Sequence, residues 1–284
     1  MTSPASASPP STGPAPTRAD IGIIGGSGFY SLLDNAETVT VETPFGPPSD
    51  ALTIGRLGDR SVAFLPRHGA GHRFAPHRVP YRANLWALRS VGVRQVVSLS
   101  AVGSLRADYG PGTLVSPDQV VDRTSGRDAS YLSGDDGVTH IAFADPYCPR
   151  GRLAAGSAAA HIARPLVDAA TLVVINGPRF STRAESLEYQ SHGWSIIGMT
   201  GMPEALLARE LALCYSVLAL VTDLDAGVEA GAGVTHAAVL EQFAANLPKL
   251  RELLVATVDA LPAGQDACPC GQVYADTPAS FELP

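Results

Sequence analysis

Ile21-Gly22-Ile23-Ile24-Gly25-Gly26-Ser27-Gly28 is a short apolar run that ends in glycines and a hydroxyl. Such a run, bounded by a turn signal, reads as a strand buried on both faces, and strands of that kind belong to sheets covered by helices. In the turn, the glycines let backbone N–H groups converge and Ser27 adds another donor, so Gly25 to Gly28 is a candidate anion cradle. It is not a Walker loop, because no Gly-Lys-Ser/Thr follows, and it lacks the third glycine of the dinucleotide fingerprint. Glu42 stands where a ribose-binding acid would, yet the next strand begins only about ten residues after Gly28, barely enough for a crossover helix. A non-catalytic nucleotide- or phosphate-binding module is the rival that this turn keeps open.

Outward from that strand, further strands are expected at Thr38–Glu42, Ala51–Leu57, Ser61–Leu65, Gln95–Leu99, Thr113–Ser116, Thr171–Ile175, Trp194–Ile197 and Tyr215–Val221. Helical periodicity marks Tyr81–Val91, Gly151–Ala163, Ser181–Ser191, Pro203–Leu213 and Thr235–Leu261. In the last, Val239, Phe243, Leu247, Leu250, Leu254, Val258 and Leu261 mark one buried face, and Pro248 should kink it. Strands alternating with helices predict a single α/β domain over residues 19–262, a mixed central β-sheet flanked by helices. Ligands of such sheets bind beyond the strand ends. The Ser-, Gly- and Asp-rich stretch Ser125–Gly137 reads as an exposed loop.

The chain has 284 residues, with 27 Asp and Glu against 20 Lys and Arg, a formal charge of −7 that argues against nucleic acid as the main partner. With 45% hydrophobic and 17% charged residues it is not disordered as a whole. No run of about 18 apolar residues suggests a membrane-spanning helix. Residues 1–18 are Ser-, Pro- and Ala-rich, without the basic and apolar regions of a secretory signal, and are expected to form a disordered tail. Four cysteines and no export signal point to the reducing cytoplasm. Cys148 and Cys214 sit singly and read as packing residues. Cys268 and Cys270 form a Cys-Pro-Cys pair in a C-terminal extension, 263–284, expected to be mobile. With no second pair at ligand spacing, no metal site is expected.

Four more segments carry chemistry. Arg67-His68 follows a strand, where a guanidinium can grip an oxyanion with paired hydrogen bonds and the imidazole can donate another. Ser100-Ala101 ends a second strand in small residues. Gly198-Met199-Thr200 precedes a helix whose first residue is expected at Pro203; seen alone, Thr200 reads as its cap. Together these strand ends suggest a site for a compact dianion such as phosphate. Asp223 and Asp225, two apart past the most apolar strand, can face one pocket, and a carboxyl at such a mouth can hold its proton at neutral pH.

Taken together, these segments resemble the purine nucleoside phosphorylase superfamily, in particular its trimeric, methylthioadenosine phosphorylase branch. The resemblance rests on the Ile21–Gly28 stretch, Thr43-Pro44-Phe45-Gly46, Arg67-His68-Gly69, Asn84-Leu85-Trp86, Gly103-Ser104-Leu105-Arg106, Gly177-Pro178-Arg179-Phe180-Ser181, Met199-Thr200, Pro203-Glu204 and Thr222-Asp223, in family order from about Ile21 to Leu261. It implies a pentosyltransferase that reversibly phosphorolyses a purine nucleoside, with inorganic phosphate as co-substrate and neither metal nor organic cofactor. It implies phosphate held by Ser27, Arg67, His68, Ser100, the Ala101 backbone and Thr200. It implies the nucleoside held by Phe180, Ile197, Met199, Asp223 and Asp225, with Asp223 and His68 in the chemistry. It further implies that His236 lies near the 5′ pocket and that His140 reaches a neighbouring subunit's 5′ pocket in a homotrimer. Gly198 and Asn176 depart from the methylthioadenosine pattern, which leaves a 6-oxopurine nucleoside as the alternative to 5′-methylthioadenosine.

Overall fold

The computed structural model describes residues 18–26, 32–132, 138–229 and 233–284, so the expected tail up to residue 17 lies outside the described residues. The apolar run at the start is β1 (Ile21–Gly25), buried along its whole length. Nine further strands follow among the described residues: β2 (Asp34–Val39), β3 (Leu52–Leu57), β4 (Arg60–Pro66), β5 (Gln95–Ser104), β6 (Leu114–Val115), β7 (Gln119–Arg123), β8 (Thr171–Ile175), β9 (Ile196–Gly198) and β10 (Cys214–Leu224). They form one mixed sheet in the order β2-β3-β4-β1-β5-β9-β8-β7, with β10 pairing β5 and β6. β1 lies between β4 and β5, parallel to both. β10 runs parallel to β5, whereas β9 meets the end of β5 antiparallel at Gly103 and Ser104.

The helices are α1 (Tyr81–Ser90), α2 (Pro149–His161), α3 (Arg183–Ser191), α4 (Gly201–Glu210) and α5 (His236–Ala260). The period-two alternation of the strands sorts their side chains onto two cores. On β10, Tyr215, Val217, Ala219 and Val221 join one cluster with Leu85 and Leu88 of α1 and Ala205 of α4. Leu218 and Leu220 join the other, with Ala154 and Ala158 of α2 and Leu250 and Leu254 of α5. The sheet is thus sandwiched between helices, as the alternating pattern requires.

The departures from expectation have physical causes. β2 begins four residues before the expected Thr38 because its residues are polar and exposed, and an exposed edge strand carries no apolar alternation. β7 was not expected at all: Gln119-Val120-Val121-Asp122-Arg123 is short, lies on the other sheet edge and is at most half-buried. The stretch Ser125–Gly137 is not a simple exposed loop, since Tyr131 and Leu132 are buried; residues 133–137 lie outside the described residues. α5 is continuous through Pro248, and its first half stays half-buried or exposed apart from Asn246, with apolar burial from Leu250 onward.

The cysteines overturn two expectations. Cys148 and Cys214 do not sit apart, and Cys268 and Cys270 are not in a mobile tail. All four are buried in one cluster, brought together from three distant parts of the chain.

Candidate active site

The site lies where the C-terminal ends of β4, β5 and β10 meet the start of α4, the place that open α/β sheets reserve for ligands. A cavity of about 640 Å³ there is lined by Arg67, His68, Ser100, Ala101, Phe180, Ile197, Met199, Thr200, Asp223, Asp225 and His236. Those are the expected residues apart from two. Ser27 lies outside the described residues, and His140 is exposed and outside the lining.

β4 ends at Pro66 and delivers Arg67 into the interior, 3% exposed. A guanidinium buried that deeply needs partners. Its Nε and Nη2 donate to the two carboxylate oxygens of Glu204 at 2.8 and 3.0 Å, Nη2 also donates to Ser98 Oγ at 2.6 Å, and Nη1 donates to the Leu99 carbonyl at 2.9 Å. The fork-shaped pairing is the strong form of this ion pair. Burial opposes the charge on Arg67, but the facing Glu204 carboxylate overrides it and holds the guanidinium pKa above its ordinary value. Burial likewise opposes ionisation of Glu204, and Arg67, Ser98 and Tyr215 overcome it, keeping the carboxyl below its ordinary range. Arg67 is therefore a preset charge with one Nη1 proton left for the cavity.

His68 departs from the expectation that it donates to an anion. Its Nδ1 lies 2.8 Å from the Phe74 carbonyl, which can only accept, so Nδ1 carries the proton and Nε2 of the neutral ring is an acceptor. Burial, then the neighbouring Arg67, pushes its pKa down to about 4, so the ring stays neutral at ordinary pH. His72 stacks on it with ring centroids 4.1 Å apart and is also held below its usual pKa, by burial and then by His236.

Thr200 stands at the head of α4, but its side chain makes no cap hydrogen bond there. Met202 is extended (φ −123°, ψ 137°), so the regular helix begins at Pro203 as expected. The cap reading of Thr200 fails on this geometry, and the residue faces the cavity at a helix N-terminus, where anions are favoured.

Asp223 and Asp225 share the cavity, as their spacing demanded. A register shift between Val221 and Asp223 in the β10–β5 pairing re-aims this stretch, and Gly103 lies opposite Asp223. A Cβ on Gly103 would fall 2.9 Å from Asp223 Oδ2, so only glycine leaves room for the carboxyl. Burial raises the Asp223 pKa, a hydrogen bond from Thr222 Oγ1 at 2.8 Å opposes that, and Asp225 raises it further. Asp225 is buried, and its Oδ2 has no hydrogen-bond partner among the described residues; the same holds for Ser181 Oγ. Two orphaned polar atoms lining one cavity mark it as built for a polar ligand.

Several participants gave no signal in the sequence. His72, Arg73, Pro76 and Ile175 line the cavity. Arg127, from the stretch read as loop, donates to the carbonyls of Met202, Asn176 and Met199 at the cavity's edge, and so fixes the backbone beneath Met199 and Thr200. Nothing in the spacing of Ser125–Gly137 announces that role, because the carbonyls it binds come from remote segments.

Comparison with known proteins agrees with this geometry. A sequence model of the "Phosphorylase superfamily" matches residues 20–259. A "Purine nucleoside phosphorylase" of Streptomyces coelicolor is 58% identical over 275 residues, spanning 94% of this chain and 98% of that one. An "S-methyl-5'-thioadenosine phosphorylase" of Mycolicibacterium smegmatis is 53% identical over 265 residues, spanning 93% and 99%. Among solved structures, a methylthioadenosine phosphorylase from an antarctic soil metagenomic library superposes with a TM-score of 0.82 at 43% identity over 90% of this chain and 91% of that one. The Schistosoma mansoni methylthioadenosine phosphorylase in complex with adenine gives 0.81 at 38% identity, over 85% and 91%. With its sheet-end cavity and near-complete overlap with these relatives, the chain belongs to the phosphorylase superfamily.

Proposed function

We propose that this enzyme catalyses the reversible phosphorolysis of 5′-methylthioadenosine to adenine and 5-methylthioribose 1-phosphate. The observation that carries it is the spacing along one strand. Ser100 belongs to the anion end, whereas Gly103, three residues on, faces Asp223. At about 3.3 Å per residue they stand roughly 10 Å apart, enough to place a ribosyl group between a phosphate and a purine. Relatives named for methylthioadenosine support the choice of nucleoside.

In this reading, phosphate lies against Arg67, Ser100, the Ala101 backbone and Thr200, with Ser27 completing the cradle. His68 Nε2 accepts a hydrogen bond from a phosphate oxygen that still carries its proton. A phosphate oxygen attacks C1′ as the C1′–N9 bond breaks, and the bonding pair moves into the purine, whose N7 takes the proton of Asp223. Positive charge on the sugar is stabilised by the dianion, and negative charge on the base by that proton transfer. Met199 packs under the ribose, Phe180 and Ile197 along the base, and His236 beside the 5′ group. Inorganic phosphate is the co-substrate, and no metal or organic cofactor enters the reaction. His140 is exposed on its own subunit, which suits delivery to a neighbour's 5′ pocket in a homotrimer. The four unbridged cysteines suit a reducing compartment such as the cytoplasm.

Base choice follows from Asp223. A protonated carboxyl donates to N7 and accepts from a 6-amino group, whereas a 6-oxo group sets acceptor against acceptor, a mismatch of about 1–3 kcal/mol. A panel crossing 6-amino with 6-oxo bases and 5′-hydroxyl with 5′-methylthio groups tests this. The 5′-methylthio adenine nucleoside should lead in kcat/KM, and Asp223→Asn should shift preference toward 6-oxopurines. Faster cleavage of inosine or methylthioinosine by the unaltered enzyme contradicts it, as light scattering that returned a monomer would contradict the shared site.

A further inference from the structure

We propose that Cys148, Cys214, Cys268 and Cys270 form a structural Zn²⁺ site outside the lining of the catalytic cavity, built from three parts of the fold. Cys148 caps α2, Cys214 opens β10, and Cys268 and Cys270 flank Pro269 in the C-terminal segment. None is more than 6% exposed. Their sulfurs all lie within 4.8 Å of one another, with Cys148 Sγ 3.6 Å and Cys214 Sγ 3.4 Å from Cys268 Sγ.

That geometry separates two outcomes. A disulfide needs sulfurs about 2.05 Å apart. Four thiolates about 2.3 Å from a tetrahedral zinc stand roughly 3.8 Å from one another, close to the spacing found here. A two-residue partnership would also leave the cluster divided into pairs, whereas Cys268 approaches both Cys148 and Cys214. The pair Cys268-Pro269-Cys270 is tighter than the usual zinc-finger spacing, and the short helical turn Pro269–Gln272 is what brings both thiols inward.

The surroundings favour thiolates. The Gly151 N–H at the start of α2 points at Cys148 Sγ (3.4 Å), adding the positive end of that helix, and Gln265 Nε2 donates to Cys214 Sγ (3.5 Å). Zn²⁺ would displace the thiol protons to solvent, and four sulfur ligands would leave no open position for substrate, which makes the site structural. Its mechanical role follows from its ligands. It ties the C-terminal segment to the start of β10, whose far end carries Asp223. That segment also accepts a hydrogen bond at the Pro278 carbonyl from Thr139, beside His140.

The test uses the full chain, untagged, purified without chelator under reducing conditions from zinc-supplemented cells. Elemental analysis should return one zinc per chain, and a mercurial that titrates four thiols should release it in step. Cys268→Ser/Cys270→Ser should lower zinc content at least about tenfold. Because that variant can also misfold, the unaltered chain is stripped and refilled with Co²⁺, which should give the absorption of a tetrahedral tetrathiolate centre. A well-folded unaltered chain that carries no zinc, or mass spectra showing disulfides among the four sulfurs, overturns the proposal.

Discussion

Arg67 is held by Glu204 before any ligand arrives, and this makes a simple truncation a compound experiment. Arg67→Ala removes a cation from the proposed anion end and strands a buried carboxylate, which costs about 3–5 kcal/mol of stability. Arg67→Ala/Glu204→Gln relieves the stranded charge and isolates the ligand effect. We expect the double variant to recover much of the lost stability while its phosphate KM stays raised by at least about tenfold, with the nucleoside KM little changed. Chemical denaturation together with initial rates at varied phosphate measures both; a wild-type phosphate KM in the folded double variant would remove Arg67 from the cradle. At this scale the sequence showed the acids and the basic residue well. Asp223 and Asp225 declare themselves by an i, i+2 step past an apolar strand, and Arg67 by its place at a strand end. Glu204 and Arg127 did not, because their partners are brought to them only by the fold: Ser98 and Tyr215 for one, remote carbonyls for the other. The hydrogen-bond sense of His68 is not legible in the sequence, since its tautomer is set by the Phe74 carbonyl, which only the fold brings to Nδ1.

Among the elements, the β5–β10 pair shapes the site most directly. β10 is buried from Cys214 to Thr222, and the register shift before Asp223 turns its last residues into the cavity. Gly103 is the complementary feature on β5. Gly103→Ala would set a methyl 2.9 Å from Asp223 Oδ2 and 3.1 Å from Ile197 Cγ2. The strand can absorb a methyl for about 1–3 kcal/mol, but displacement of the acid by even part of an ångström should lower kcat/KM by about 10- to 100-fold. Thermal unfolding beside kinetics checks this, and an unchanged kcat/KM would show that Asp223 does not need its present position. The strands legible in advance were β1, β3, β4, β5, β6, β8, β9 and β10, each carrying buried apolar residues along at least one face. β2 and β7 were displaced or missed because both are exposed edges whose pairing, and not their composition, makes them strands.

Over the whole molecule, alternation of strands and helices was enough to specify an α/β sandwich, and the sheet's crossing order accounts for the position of its cavity. What composition hid was long-range convergence: cysteines 120 residues apart in sequence, Cys148 and Cys268, come within 3.6 Å, which neither residue's neighbours foretell. The proposed anion cradle has meaning only if phosphate is the nucleophile that replaces the base. The decisive measurement is purine release from 5′-methylthioadenosine with and without inorganic phosphate, with the sugar product identified. Adenine and 5-methylthioribose 1-phosphate should form in equal amounts, and only when phosphate is present. Adenine released equally fast without phosphate, accompanied by the free sugar, would contradict it.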